Sequence, residues 1–252
     1  MNSDAHKKFA LVTGAGNGIG KSICLHLEKI GYTIIAVSRN EKHLKEINDT
    51  LTNKEHLFFT TDLVTKEGCA DLLQFLQING MPHVVVNNLR IKSERKKLIG
   101  LSTAISEINI QENINHLLII MSAVIDFQRQ QKFGRWIGIG SMSNHFSVPG
   151  MAIYNMQKSM LEQLLWTLAA EEGKHGITAN IVVPGLIATP SVLDNYSKEE
   201  LDLRSQQNVL QRIGTTDEVA SAVAFLASED ASYITGITLP VNGGTHLGWQ
   251  FL

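Results

Sequence analysis

The chain has 252 residues, 44% hydrophobic and 18% charged, which excludes a disordered or collagen-like polymer and suffices to bury a substantial core without disulfide or metal staples. A formal net charge of −2 and a pI near 6.5 leave no electrostatic footprint for nucleic acid. Two cysteines, Cys24 and Cys69, cannot form a secreted disulfide framework. The amino terminus carries no apolar leader, and the greasiest run, 117–125, is interrupted by Ser122 and falls short of a membrane span. These features predict a cytoplasmic protein with no membrane or nucleic-acid partner.

The first predicted element is a strand at 9–13, apolar without period-two alternation and so covered on both faces. A helix follows, its apolar face marked by Ile19, Ile23, Leu27 and Ile30. Then come a strand at 33–37, a charged helix at 41–51, a strand at 57–60, a helix at 66–78 and a strand at 83–86. A long helix at about 105–131 leads to a strand at 135–139, a helix at 154–172 and a strand at 177–183. A polar helical stretch at 198–207, a helix at 216–226 and a strand at 237–241 complete the order. Strand and helix alternating throughout predict an α/β fold, a doubly wound (Rossmann) parallel sheet of about seven strands with helices on both faces. No Pro/Ser-rich linker or repeat divides it, so a single domain over 1–252 is expected.

The segment Thr13-Gly14-Ala15-Gly16-Asn17-Gly18-Ile19-Gly20 lies between the first strand and first helix, where a doubly wound fold binds a nucleotide pyrophosphate. Glycines permit the tight turn and close backbone approach, and a helix N-terminus offers free N–H groups to phosphate. The spacing reads T-G-x-x-x-G-x-G rather than G-x-G-x-x-G, and an ordinary glycine-rich turn is the alternative. The second strand ends Val37-Ser38-Arg39-Asn40, with no acid to hold a ribose 2′-OH. That favours NADP(H) over NAD(H), with Arg39 as phosphate partner and Ser38 as a hydroxyl contact; a solvated surface arginine is the competing reading.

Tyr154 and Lys158 are four apart, one turn from each other on one helix face. A phenol with the ordinary pKa of about 10 serves as acid and base at neutral pH only beside a positive charge that stabilises its phenolate, which Lys158 can supply. The strand at 135–139 runs into Gly140-Ser141 at the carboxyl edge of the sheet, where a serine can hydrogen-bond a substrate carbonyl that the tyrosine protonates.

With these blocks in hand the sequence resembles the short-chain dehydrogenase/reductase family over nearly its whole length. The matching segments, in order, are TGAGNGIG at 13–20, Asp62-Leu63, Asn87-Asn88, Asn113, GRWIGIGS at 134–141, YNMQK at 154–158, PGLIAT at 184–189 and GITLPVNGG at 236–244. The similarity is greatest to beta-ketoacyl-(acyl-carrier-protein) reductase-like members, through the segment at 211–236. The resemblance implies a catalytic tetrad of Asn113, Ser141, Tyr154 and Lys158. Tyr154 exchanges the proton, Ser141 orients the carbonyl, Lys158 bonds the nicotinamide ribose, and Asn113, chosen over Asn109 and Asn115, holds a water. It also implies cofactor contacts from Gly14, Asn17, Gly18, Ile19 and Gly20, with Asp62 and Leu63 flanking the adenine and Asn87 by the ribose. Pro184, Gly185, Ile187 and Thr189 would lie towards the nicotinamide. Simpler readings of two of these are that Asp62 caps a helix and that Thr189 caps the lid.

What the resemblance implies in function is hydride transfer between NADP(H) and a carbonyl or alcohol substrate, a 3-oxoacyl compound or another biosynthetic ketone, free or on a carrier protein. Redox-neutral dehydration or isomerisation and a non-catalytic cofactor-binding scaffold are the alternatives. A homotetramer is implied, a dimer being the smaller option, and no metal is expected, because no histidine pair has ligand spacing. His145 and His246 fall near the site segments. A lid is expected over 191–211. The chain departs from the family pattern at Leu89-Arg90, where N-N-A-G is usual, and Arg90 opens a basic stretch with Lys92, Arg95, Lys96 and Lys97. That stretch is either a solvated loop or a surface for a phosphate, a carboxylate or a carrier protein. The aromatic tail at 246–252 is expected to cover the pocket or reach a neighbouring subunit.

Overall fold

The computed structural model describes residues 7–90, 95–99, 101, 103–146 and 148–247, with the backbone alone over 103–112. Positions 91–94 of the basic stretch and most of the aromatic tail, 248–252, lie outside the described residues. The elements run β1 (Phe9–Thr13), α1 (Gly18–Lys29), β2 (Thr33–Ser38), α2 (Glu41–Thr50), β3 (Leu57–Thr60), α3 (Lys66–Asn79), β4 (Val84–Asn87) and α4 (Thr103–Gln131). They continue with β5 (Gly134–Ile139), α5 (Ala152–Glu172), β6 (Ile177–Pro184), α6 (Pro190–Asn195), α7 (Lys198–Ser205), α8 (Thr216–Ala227) and β7 (Thr238–Val241).

The strands form one seven-stranded sheet in the order β3-β2-β1-β4-β5-β6-β7, parallel at every pairing. Successive strand residues face opposite sides, and both sides are apolar. Ala10, Val12, Ile34, Ala36, Val84 and Val86 pack with α1, α2 and α8. Leu11, Ile35, Val37 and Val85 pack on the other face with α3, α4 and α5. This double burial explains the absence of polar alternation in β1 and β2. Strand order reverses between β1 and β4, opening a crevice at their carboxyl ends.

Two local expectations give way. Ile30, placed on the buried face of the first helix, is the residue closing α1 and is 45% exposed. The lid contains a helix, α6, that periodicity did not reveal. Its signals are at its start: Pro190 in the first turn has its φ preset for helix, and the Thr189 hydroxyl accepts from Val192 N. The second lid helix, α7, has a full capping box between Ser197 and Glu200.

A buried amide fixes the bottom of the site-bearing strands. Gln128 on α4 accepts from Trp136 Nε1 at 2.7 Å and donates to the carbonyls of Pro82 and His83, and both Gln128 and Trp136 are almost fully buried. Gln128→Leu strands the Trp136 indole N–H and removes a donor from the Pro82 carbonyl, whereas the His83 carbonyl keeps the Arg135 N–H. The substitution is expected to lower unfolding free energy by about 1–3 kcal/mol, read as the urea midpoint by circular dichroism; an unchanged midpoint contradicts this account.

Candidate active site

The crevice is built around one hydroxyl. Thr13, the last residue of β1, is fully buried and pairs in register with Asn87, the last residue of β4. Its Oγ1 donates to Asn87 Oδ1 at 3.1 Å and accepts from the backbone N–H groups of Asn88 and Leu89, each at 3.2 Å. Asn88 Nδ2 donates to the Gly14 carbonyl at 2.8 Å. His116, buried on α4, lies 2.9 Å from Asn87 Oδ1 through Nε2, which the acceptor-only oxygen requires to carry the proton. The turn after β4 is thereby locked to the glycine loop.

Between them opens a cavity of about 730 Å³. Gly14, Gly16, Asn17, Gly18 and Ile19 line it from the glycine loop, Ser38, Arg39, Glu41 and Leu63 from the ends of β2 and β3, and Asn88, Leu89, Arg90 and Thr189 are among the residues that face it from later in the chain. Gly14 and Gly18 have φ of +62° and +52°, a region where side chains are strained. At Gly20 a Cβ would overlap the Gly14 carbonyl oxygen, so the glycine is what lets α1 start against the loop. Asn17 makes no side-chain capping bond and the first turn of α1 holds no acid, leaving that helix end to receive an anion.

At the far end, Arg39 is 64% exposed and its only ion-pair contact among the described residues is a long one, 3.5 Å to Asp62; such a pair is weak and leaves the guanidinium available. Lys42 and His43, in the first turn of α2, also face this end. The sequence reading found a single cation here, because Lys42 and His43 are brought round only by the start of α2. Asp62 does not cap α3; Thr65 does. Asp62 instead accepts from Val64 N.

The other half of the constellation lies on β5 and α5. Ser141 follows β5; its Oγ accepts from Ser143 N at 3.2 Å and lies 3.0 Å from Ser143 Oγ, opening a short helical turn over Met142–His145. Lys158 Nζ donates to the Ile139 carbonyl at 2.7 Å and sits 5.9 Å from the Tyr154 ring centre. Arg90 Cζ stands at 5.9 Å from the same ring. Burial, then the Arg90 charge, hold the Lys158 pKa down to about 8, with Glu162 opposing them. Glu162, one turn beyond Lys158 and buried, pairs with His145 at 3.3 Å.

Comparison with known proteins follows the same outline. Residues 14–246 match the family described as enoyl-(acyl carrier protein) reductase. The 3-oxoacyl-(acyl-carrier-protein) reductase of Buchnera aphidicola subsp. Schizaphis graminum is 34% identical over 242 residues, covering 96% of this chain and 98% of that protein. Its counterpart in Pseudomonas aeruginosa is 33% identical over 243 residues, covering 95% and 98%. The protein belongs to the short-chain dehydrogenase/reductase family. A solved structure of a putative betaketoacyl-ACP reductase superposes on this family member with a TM-score of 0.83 at 28% identity, covering 95% of this chain and 98% of that one. YwfH, described as an NADPH dependent reductase involved in bacilysin biosynthesis, superposes with a TM-score of 0.88 at 24% identity over 95% and 98% of the two chains, a likeness of fold.

Within this short-chain dehydrogenase/reductase scaffold, the residues expected from sequence divide into three groups. Gly14, Asn17, Gly18, Ile19, Ser38, Arg39, Leu63 and Thr189 face the cavity directly. Gly20 packs against the Gly14 carbonyl behind the loop, Pro184 ends β6, Gly185 packs against Asn242, and Ile187, buried and bridging to Gly214, lines a second, smaller cavity. Asn87 spends its side-chain oxygen on Thr13 and His116 rather than on the cavity, where Asn88 and Leu89 face instead. Asn113 is half-buried on α4, one turn before His116. His246 is tied to Asn242 Oδ1 at 3.1 Å. Four residues of interest, Lys42, His43, His116 and Ser143, were not found from sequence, since none belongs to a spaced motif.

The Lys158 environment predicts a measurable stability profile. The folded chain releases the Lys158 proton near pH 8 whereas the unfolded chain holds it up to the ordinary lysine value, so between these limits the unfolded state binds more protons and stability rises with pH. Lys158→Met is expected to abolish that rise, read from urea unfolding at pH 7.5 and pH 9.5; a rise that persists in the variant assigns it to another group.

Proposed function

We propose that the protein is an NADPH-dependent carbonyl reductase that reduces a ketone to a secondary alcohol, with 3-oxoacyl compounds, free or bound to a carrier protein, as the substrate class its relatives' names suggest. The observation that carries this reading is the Tyr154 ring, its centre 5.9 Å from Lys158 Nζ, near a nucleotide-sized cleft at the switch point of the sheet. The glycine loop, the open end of α1 and the cations at the end of β2 suit a dinucleotide phosphate. Arg39, with Lys42 and His43 at the same end, favours NADP(H) over NAD(H), a 2′-phosphate needing the positive charge that a bare ribose does not.

A nicotinamide dinucleotide bound there supplies the hydride. Tyr154 donates its proton to the carbonyl oxygen as negative charge develops, and the Lys158 ammonium stabilises the phenolate left behind. The Ser141 hydroxyl receives the Ser143 N–H through its oxygen and keeps its own proton to donate to the carbonyl. Lys158 is anchored by the Ile139 carbonyl, which aims one N–H and leaves two for the nicotinamide ribose and a water. Asn113 supports that water and feeds protons back from solvent. Thr189 and the lid over 191–211 exclude bulk water. We place this chemistry in the cytoplasm, in keeping with two free buried cysteines, on a single domain. Outward Leu118 on α4 and Trp166 on α5 support self-association towards a homotetramer, whereas Leu117, Leu161, Leu165 and Leu168 are used by the core.

Following NADPH absorbance with a panel of 3-oxo compounds, wild-type protein is expected to turn over, and Tyr154→Phe and Lys158→Ala each to lose at least a hundredfold in kcat. Turnover that survives both substitutions refutes the mechanism. Arg39→Ala is expected to weaken NADPH binding about tenfold while changing NADH binding little; equal effects on both cofactors refute the 2′-phosphate assignment.

A further inference from the structure

Arg90 has no part in that proton transfer, yet it stands as near the phenol as Lys158 does. Its backbone is fixed from behind: the preceding Leu89 N–H is bonded to Thr13 Oγ1, and Asn88 is bonded to Gly14. The guanidinium reaches over the Tyr154 ring, Cζ 5.9 Å from its centre, and faces the cavity. Among the described residues no carboxylate lies within ion-pair reach of it; the nearby buried Glu162 lies 3.3 Å from His145 Nε2, and its Oε1 makes no hydrogen bond. The backbone N–H of Lys96 bonds to the Gly150 carbonyl at 3.1 Å, drawing the exposed segment with Arg95 and Lys97 against the loop that leads into α5. Arg95 and Lys97 thus bring further positive charge to the loop that leads into α5.

We propose that Arg90 is a specificity-determining residue that binds a carboxylate of the substrate within a few bonds of the reacting carbonyl, so that this site takes a free oxo acid in preference to a neutral ester or thioester. Two cations beside one phenol repel each other, and a bound anion relieves that repulsion. Burial first, and then the Arg90 charge, loosens the Lys158 proton. A planar guanidinium matches a carboxylate through two parallel hydrogen bonds. The competing source of oxyanion is the cofactor diphosphate, but the open end of α1 at Gly18 and Ile19 serves that group, and Arg90 lies instead over the ring whose hydroxyl meets the carbonyl. This inference rests on the carbonyl-reductase reading for its substrate geometry.

The test is binding without turnover. NADPH-loaded protein is titrated by calorimetry at pH 6.5 with 3-hydroxybutyrate or 3-hydroxyoctanoate and, separately, with their methyl esters; cofactor and ligand are both reduced, so no hydride moves. Lys158 is charged at that pH in every variant. Wild type is expected to bind at least one acid about tenfold or more tightly than its ester. Arg90→Ala brings that ratio to about one and weakens the acid at least tenfold more than it weakens NADPH, and Arg90→Lys restores part of the ratio. Equal binding of acid and ester by wild type overturns the inference, as does an Arg90→Ala defect confined to NADPH, which assigns the arginine to the cofactor phosphates. Acid preference in a protein that reduces no ketone overturns the reductase reading and leaves the anion site standing.

Discussion

Everything at the crevice depends on the buried Thr13 hydroxyl. It ends β1, binds the side chain that ends β4, and accepts two backbone N–H groups from the turn that follows. In a parallel sheet whose order reverses between these strands, nothing in the ladder itself fixes how the two departing loops sit relative to each other. A single hydroxyl with one donor and two acceptor sites does so, and Asn88 and His116 extend the lock to the glycine loop and to α4. Buried polar groups so fully used are rigid, because any displacement leaves several of them unsatisfied together.

From that lock follows the division of labour along the crevice. One side is backbone: glycines at positive φ and an uncapped helix end, suited to phosphate because N–H groups are dense and side chains absent. The other is side-chain chemistry on α5, where Tyr154, Lys158 and Glu162 recur one turn apart and meet the end of β5. Cations occupy both extremities, Arg39 with Lys42 and His43 at one and Arg90 with Lys158 at the other. The first set is exposed and adaptable. The second is confined: burial first, and then the Arg90 charge, loosens the Lys158 proton, opposed by the buried Glu162 carboxylate. Charge of one sign packed beside a phenol makes the site receptive to an anion from outside.

Much of this was legible in order and spacing. The alternation of apolar strands with amphipathic helices predicted the seven-stranded parallel sheet because period and burial are local consequences of residue type. The glycine loop, Ser141, Tyr154 and Lys158 were legible because each sits at a fixed place along one turn, one strand end or one helix face. Ile30 was misplaced on a buried face since periodicity does not say where a helix stops. Helix α6 was missed because six residues are too few for a period, although Thr189 and Pro190 announce its start. That the Asn87 side-chain oxygen meets Thr13 and His116 was not legible, since those partners lie on other elements.

The sequence by itself determined the fold class, the glycine-lined turn and the Tyr-Lys pair, all of which depend on residues within a few positions of one another. Only the tertiary structure decided what surrounds them. It brought Lys42 and His43 to the Arg39 end, used Ser143 to orient Ser141, coupled His145 to Glu162 and laid Arg90 over Tyr154. Those neighbours come from elements far apart in the chain, and contact between them follows from strand order and helix packing, which no local pattern encodes. Arg90 shows the difference most directly: in sequence it is one departure from a family pattern at the start of a basic run, and in the fold it is a second cation over the Tyr154 ring.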